Sequence, residues 1–231
     1  MDLYQLVFGV YPYVALTVFI VGSWIRFDTE QYTWKSDSSQ LLSRDGMMLA
    51  SNLFHIGVIA IFLGHLVGLL MPHAVFQALG VSDMTHQWVA IAAGSVFGTL
   101  CLIGGVLLWL RRLFNARVRA ASRTMDVFIL SWIMATLLLG LSTLPVSVGH
   151  ANHGDPAVMV ALAEWAQSVV TLQPKPALMQ AVDPIFRVHI FFGMTVFLLF
   201  PFSRLVHVWS APFGYLGRAY QIVRSKRPSV G

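Results

Sequence analysis

The sequence predicts an all-α integral membrane protein with five transmembrane helices. Of its 231 residues, 57% are hydrophobic and only 11% are charged, whereas an average soluble domain carries about a quarter charged residues. A helix needs about 20 mostly apolar residues to cross the hydrocarbon core of a bilayer, and five stretches reach that length. They run approximately over residues 3–25, 48–71, 88–110, 127–146 and 184–209.

Each stretch is expected to be a helix that stays in the protein. None alternates apolar and polar residues with the period of two that a barrel strand requires. The first stretch lacks the basic start and small-residue cleavage site of a signal peptide. No segment looks like a second domain, so residues 1–231 are predicted to form a single transmembrane domain, with a tail over 210–231.

Local features refine this picture near the predicted outer surface. Tyr11, Pro12 and Tyr13 are expected to anchor the first span at the membrane interface and to kink it. In the longest link, residues 157–170 are expected to form a short helix that lies on the membrane surface, with Trp165 at the interface.

The positions of the basic residues predict the topology. Thirteen of the fifteen Lys and Arg residues fall on one side of the membrane, which leaves Lys175 and Arg187 on the other. Because cytoplasmic links carry the excess of positive charge, the N-terminus is predicted to lie outside and the C-terminus in the cytoplasm. Arg111 and Arg112, at the end of the third span, are expected to extend to the membrane surface. The net charge of +5 therefore reflects topology, and nucleic acid is not an expected partner.

Four histidines lie at membrane depth: His55 and His65 in the second span, and His189 and His207 in the fifth. Ionisable residues inside a membrane are costly and usually functional, although a single one can simply bond to a neighbouring helix. The two spans run in opposite directions, so His55 and His207 lie near the inner surface while His65 and His189 lie near the outer one. Two such pairs suit two bis-histidine haems, and paired metal ligands or a proton relay also fit the spacing.

The two helices disagree on the distance between the pairs. His55 and His65 are ten residues apart, about 15 Å along a helix that rises 1.5 Å per residue, whereas the eighteen residues between His189 and His207 correspond to about 27 Å. We expect helix tilt or oblique ligation to absorb the difference.

Glycine and arginine residues near the histidines fit the same interpretation. Gly57, Gly64 and Gly68 would let a flat macrocycle approach the backbone, and they would equally let two helices pack closely. Arg187 and Arg204 precede two of the histidines and could pair with haem propionates or extend to the membrane surface. The predicted haem-binding set therefore includes Gly64, Gly68 and Arg187.

His86, at the outer start of the third span, is the candidate for a quinol site. An imidazole at the level of the outer haem edge can bond to a quinone headgroup and accept a proton. The alternative is a solvated helix end beside Asp83 and Gln87. His150 and His153 lie in a link without a third ligand, so metal binding there is not favoured.

Nearly the whole chain, from Tyr11-Pro12-Tyr13 to Tyr220-Gln221, resembles the gamma subunit of respiratory nitrate reductase. The matching runs are Gln40–Arg44 with Gly46, Ala50-Ser51-Asn52-Leu53-Phe54-His55-Ile56-Gly57, Gly64-His65, Cys101–Leu108, Arg111–Phe114, Phe186-Arg187-Val188-His189, Gly193-Met194, Phe200-Pro201-Phe202-Ser203-Arg204 and His207–Ser210.

The resemblance implies a five-span cytochrome b with two haem b groups, in the cytoplasmic (inner) membrane of a bacterium or archaeon. Such a subunit oxidises quinol (menaquinol or ubiquinol) near the outer haem and anchors two cytoplasmic subunits. One of those carries iron–sulfur clusters, and the other carries a molybdenum cofactor and reduces nitrate, so no nitrate chemistry is expected in this chain. The resemblance implies that His55 and His207 hold the inner haem iron, and that His65 and His189 hold the outer one. A lysine that the family has in an outer link is not found here, and the matching position falls at or beside His86.

The residues leave two alternatives open. A quinone-reactive di-haem subunit of a formate dehydrogenase or a hydrogenase would share the chemistry and differ in its partners. A haem-free transporter whose histidines handle protons would also use residues at membrane depth. Against the transporter, the chain shows no inverted repeat, and Asp126, at an inner end, is the one acidic residue inside a span.

Overall fold

Five membrane-length helices dominate the computed structural model, which describes residues 2–34, 42 and 46–210. No strand occurs within those ranges. The all-α fold class and the five spans are therefore confirmed, while most of the predicted tail, residues 211–231, lies outside the described residues. The spans are Gln5–Thr33, Met47–Leu70, Asp83–Phe114, Thr124–Asn152 and Pro184–Phe202.

The α-helices of the described chain are numbered in chain order. They are α1 (Tyr11–Glu30), α2 (Met47–Leu70), α3 (His73–Ala78), α4 (Asp83–Phe114), α5 (Ala116–Ala120), α6 (Thr124–Asn152), α7 (Ala157–Val170) and α8 (Pro184–Leu199). A π-helical segment, Gln5–Val10, precedes α1, and 3₁₀ segments cover Gln31–Thr33, Pro176–Gln180, Phe200–Phe202 and Arg204–Ser210.

Several helices are longer than their apolar stretches. α4 begins at Asp83 because the side chain of Ser82 caps it, accepting a hydrogen bond from the backbone of Thr85 at 3.2 Å. α6 continues through Pro145 to Asn152. Sequence hydropathy marks only the part of a helix that crosses the hydrocarbon, so the polar ends are missed.

The spans pack in the order α2, α4, α6, α8 and α1. Glycines bring α2 and α4 into backbone contact: a Cβ on Gly104 would lie 2.4 Å from the backbone nitrogen of Phe54, and a Cβ on Gly57 would lie 2.6 Å from Cys101. Gly57 therefore serves helix packing, one of the two roles that the sequence left open. α2 carries His55 and His65, whereas the fifth span carries His189 on α8 and His207 on the 3₁₀ segment after it. The two spans face each other through these side chains.

The fifth span is not one continuous helix, contrary to the expectation for residues 184–209. α8 ends at Leu199, the 3₁₀ turn Phe200–Phe202 follows, and Ser203 is extended (φ −119°, ψ 179°) before the segment Arg204–Ser210. Pro201 lacks an N–H and its ring clashes with the helical carbonyl four residues earlier, which explains the break. The 27 Å estimate assumed five uninterrupted turns and does not hold.

The end of the bundle that the charge pattern predicts to be the outer one contains the main buried cluster. Pro12 has no N–H to donate to the carbonyl of Phe8, and Trp165 Nε1 donates to that carbonyl at 2.9 Å. Trp165 is only 4% exposed. Helix α7 thus forms where the sequence predicted it, but Trp165 is buried in protein and the expected placement at the membrane interface is wrong. The buried cluster comprises Phe8, Trp165, Ala166, Val169, Met179, Val182 and Phe186.

The hydroxyls of the tyrosines around Pro12 bond within the protein, so anchoring at the membrane interface stays a prediction. The hydroxyl of Tyr11 lies 2.7 Å from Thr195 Oγ1 on α8, and the hydroxyl of Tyr13 donates to the carbonyl of Val169 at 3.1 Å. These bonds tie the start of α1 to α7 and α8. The expected local irregularity is present as the π-helical segment that precedes Pro12.

Candidate metal centres

The structure brings the four membrane-depth histidines together as two pairs. The ring centroids of His55 and His207 are 6.4 Å apart, and those of His65 and His189 are 6.0 Å apart. These are the pairs that antiparallel second and fifth spans predict. The break in the fifth span allows both of its histidines to reach α2, so the two spacings that the sequence suggested need not agree.

The separation of the rings suits one metal ion between them. A metal–imidazole bond is about 2 Å long, and the ring centre lies roughly 1 Å beyond the nitrogen. Two imidazoles on opposite sides of one iron therefore have centroids about 6 Å apart. Both pairs match this value, and their ring planes cross at 75° in the inner pair and 46° in the outer pair.

Each of these histidines has its Nδ1 atom bonded to a backbone carbonyl. Such a bond fixes the tautomer with hydrogen on Nδ1 and leaves Nε2 with a free lone pair, the arrangement that metal-binding histidines use. The bonds join His55 to Ser51 (2.7 Å), His65 to Ile61 (2.8 Å), His189 to Thr136 (3.1 Å) and His207 to Arg204 (2.6 Å).

The pairing, and not the carbonyl bond, sets these four apart. His153 makes the same bond, to Gly149 at 2.7 Å, but it is in a link and no ring contact joins it to another histidine. His73 and His150 direct Nε2 to carboxylates, at 3.1 Å from Asp83 and 3.5 Å from Asp183. Across residues 2–34, 42 and 46–210, no group of three or more His, Cys, Asp or Glu side chains could hold a metal ion. In this part of the chain the histidine pairs are therefore the candidate metal ligands.

Glycines beside the outer pair leave room for a flat cofactor. A Cβ on Gly64, next to His65, would meet no described atom within 4 Å, and the same is true of Gly193, one turn after His189. At Gly140 on α6, by contrast, there is no room for a side chain, since a Cβ there would lie 2.9 Å from His189 Cε1. The donor set and this space fit a haem. No pattern in the sequence singles out Gly140, because its importance depends on how α6 and α8 pack.

At the inner end, two arginines bond to protein. Arg204 makes two bonds to the carboxylate of Asp126, at 2.9 and 3.0 Å, and Arg112 makes one at 3.3 Å. Both guanidinium groups are thus held within the protein by Asp126, and the pairing of Arg204 with a haem propionate stays a prediction. A buried carboxylate is stable only when it is paired, and the two guanidinium groups supply that pairing.

At the outer end, Arg187 contacts the N-terminal segment. It donates a hydrogen bond to the hydroxyl of Tyr4, and its guanidinium carbon lies 5.5 Å from the centre of the Tyr4 ring. The described partner of the Arg187 guanidinium is therefore Tyr4. Its predicted role in haem binding stays a prediction.

His86 lies against the last turns of α2, the helix that carries His65. Its ring stacks on Phe76 of α3 with centroids 4.2 Å apart, and its Nε2 is 3.4 Å from the position of a Cβ on Gly68. Gly68 is three residues after His65, so the imidazole lies against the same end of α2. Of the neighbours that the helix-end alternative named, Gln87 instead bonds to the carbonyl of Ser147 at 3.1 Å, and Asp83 pairs with His73.

An amide that sequence reasoning missed holds the end of α2. Gln167 Nε2 donates to the carbonyls of Leu69 and Met71, each at 3.2 Å. The last carbonyls of a helix have no partner inside it, so this side chain from α7 supplies one. No sequence signal identifies such a contact, since 98 residues separate Gln167 from Leu69.

Known proteins resemble this chain over nearly its whole length. A family model described as "Nitrate reductase gamma subunit" matches residues 4–226. The respiratory nitrate reductase 1 gamma chain of Escherichia coli is 51% identical over 95% of this chain and 96% of its own, and the nitrate reductase gamma chain of Bacillus subtilis is 34% identical over 96% and 98%. An Hdr-like menaquinol oxidoreductase cytochrome b-like subunit of Archaeoglobus fulgidus is 30% identical over 67% of this chain and 45% of its own.

Proposed function

Because this chain belongs to the family of nitrate reductase gamma subunits, we propose that it oxidises quinol near the outer membrane surface and passes the electrons inward through two haems. It is a membrane subunit of a respiratory nitrate reductase, an oxidoreductase complex. The quinol, the haem number and the direction of transfer are the proposed part.

The observation that carries the proposal is the pair of histidine sites at two depths of one bundle. His55 and His207 would hold the inner haem b, and His65 and His189 the outer one, each through Nε2 while Nδ1 stays bonded to a carbonyl. A haem iron held by two histidines accepts and releases single electrons. The cytochrome b-like relative supports haem as the cofactor, and its name supports menaquinol as one possible quinol; ubiquinol has the same reacting groups.

His86 is the proposed proton acceptor for quinol. Oxidation of a quinol releases two electrons and two protons, so the site needs a base within reach of the hydroxyl. Two contacts support this role: the ring stacks on Phe76, and its Nε2 lies against Gly68, three residues after His65. An imidazole accepts a proton readily near neutral pH.

The inner surface is the proposed docking side for the other subunits. With the N-terminus outside and the C-terminus in the cytoplasm, the positively charged links face the cytoplasm. The iron–sulfur subunit would receive electrons next to the inner pair, and the molybdenum subunit would reduce nitrate. Protons released from quinol on the outer side then make the overall reaction electrogenic.

The test is a haem count followed by quinol reduction. We expect the purified chain to contain two b haems per polypeptide in the reduced-minus-oxidised spectrum. In His65→Ala, the outer haem should be lost and quinol should no longer reduce the inner one, although dithionite still does. His153→Ala is the matched control, because His153 has the same Nδ1 bond and no paired ring. A chain without haem, or unchanged quinol reduction in His65→Ala, contradicts the proposal.

Replacing His86 tests the proposed proton acceptor without removing a proposed haem ligand. His86→Leu should retain both haems and lower the rate of quinol oxidation by about 10²–10⁴-fold, the usual contribution of a positioned base. The readout is stopped-flow reduction of the haems by a soluble quinol analogue. A normal rate in His86→Leu removes this residue from the quinol site, whatever the haem content.

A further inference from the structure

A buried group of charges lies at the inner end of the bundle, where α4, α6 and the end of the fifth span meet. Asp126, in the first turn of α6, is 7% exposed. Its carboxylate accepts both bonds of the Arg204 guanidinium, a bond from Arg112 at 3.3 Å and one from the backbone N–H of Arg123 at 3.1 Å. Bidentate pairs of this kind fix geometry as well as charge.

The same arginine is bonded to a histidine of the inner pair. The backbone carbonyl of Arg204 accepts the hydrogen bond from His207 Nδ1 at 2.6 Å. A continuous path therefore runs from the Asp126 carboxylate through the guanidinium and backbone of Arg204 to the imidazole of His207.

The segment that carries His207 needs such a tether. It follows the break at Pro201 and the extended residue Ser203, so the hydrogen bonds of α8 do not extend to it. His189 differs, because it lies within α8 and its Nδ1 bonds to the carbonyl of Thr136 on α6. The segment that carries His207 is therefore held by contacts from outside α8, among them the pairing of Arg204 with Asp126.

We infer that Asp126 is a positioning residue for the inner haem, acting through Arg204 on the orientation of His207. The inference rests on the proposed role of His55 and His207 as ligands of that haem. Loss of the carboxylate releases the guanidinium and lets the 3₁₀ segment turn, which changes the angle between the two imidazole planes. It also leaves the charges of Arg204 and Arg112 unbalanced, which disfavours the more positive ferric form.

The experiment uses the full chain in its complex, with the outer haem as an internal reference. Asp126→Asn removes the charge with little change in shape, and Asp126→Glu keeps a carboxylate. Asp28→Asn is the matched control, because Asp28 is an exposed carboxylate near the inner end of α1 that bonds to Trp24. The readouts are the low-spin ferric resonance of each haem, which responds to the angle between the imidazole planes, and the midpoint potential of each haem.

In Asp126→Asn, we expect a shifted resonance and a raised midpoint potential for the inner haem, with the outer haem unchanged. Asp126→Glu should restore most of both properties, and Asp28→Asn should change neither. If Asp126→Asn does not accumulate, Arg204→Lys decides the matter, since it keeps the charge but loses the bidentate geometry. We then expect the resonance to shift more than the potential.

Two results overturn the inference. The first is an inner haem at full occupancy with an unaltered resonance in both Asp126→Asn and Arg204→Lys. The second is an equal loss of the inner and outer haems, which would mean that Asp126 has a purely structural role. His207→Ala, measured in the same series, separates a failure of this inference from a failure of the proposed function. If that variant retains the inner haem, the ligand assignment is wrong, whatever Asp126 does.

Discussion

The inner and outer histidine pairs have similar ring separations but are supported in different ways. His189 lies on a regular helix, with a glycine of α6 against its ring and a carbonyl of α6 on its Nδ1. His207 lies after a break, on a 3₁₀ segment that charged side chains hold in place. Packing and backbone therefore define the outer site, whereas ion pairs and hydrogen bonds from arginines define the inner site.

The difference follows the distribution of charged side chains. A charged group costs free energy to desolvate, so small residues and backbone carbonyls support the pair that has few charges around it. Arginines are available beside the other pair, at the end of the bundle that the charge pattern predicts to be cytoplasmic. We therefore expect volume changes to damage the outer site and charge changes to damage the inner one.

Filling Gly140 should have the largest effect, confined to the outer site. A leucine there would occupy the position of the His189 ring, since even a Cβ would lie 2.9 Å from its Cε1. We expect Gly140→Leu to lose the outer haem and retain the inner one, as measured by haem per chain and by quinol-driven reduction. Gly149→Leu on the same helix is the control, because a Cβ there meets no described atom within 4 Å. Full outer haem in Gly140→Leu would mean that packing does not define this site.

Removing the guanidinium of Arg26 should have a smaller effect, at the inner site. Arg26 donates to the carbonyls of Pro201 and Ser203, at 2.6 and 2.8 Å, and so holds the break from the side of α1. Hydrogen bonds to charged groups contribute about 1.5–3 kcal/mol. We expect Arg26→Met to release the inner haem at a lower temperature than the outer one. The control is Arg117→Met, on an exposed arginine of α5; equal release of both haems would argue against a separate inner support.

The smallest effect is expected from Trp165, whose hydrogen bond is to the carbonyl of Phe8 and not to a histidine. Trp165→Phe keeps the ring in the buried cluster but leaves the Phe8 carbonyl without its bond. The cost is about 1–3 kcal/mol of stability, measured as a lower thermal midpoint than that of Trp24→Phe, whose indole is exposed. Both haems should retain their spectra. A shifted outer haem would show that the outer site also depends on distant hydrogen bonds.

Much of this architecture could be predicted from the sequence. Apolar length is enough to find five spans, and the antiparallel directions of the second and fifth spans are enough to pair His55 with His207 and His65 with His189. Both predictions depend on properties that act over a whole helix, and no single contact decides them.

The supports of the pairs could not be predicted in the same way. Pro201 was a readable signal for a break, but the apolar run around it favoured a continuous helix, and the spacing estimate inherited that error. The partners of Arg204 and Trp165 are 78 and 157 residues away in the chain. Such contacts follow from helix packing, which hydropathy and residue spacing do not specify.

The close contact of α2 with α4 has a consequence for assembly of the protein. Both pairs take one histidine from α2, and α2 is held against α4 by backbone contacts at Gly57 and Gly104 that leave no room for a side chain. The helix therefore cannot slide to adjust one histidine without displacing the other. We expect insertion of the first haem to fix the height and rotation of α2. The second haem then enters a site that is already ordered, and its binding loses less conformational entropy.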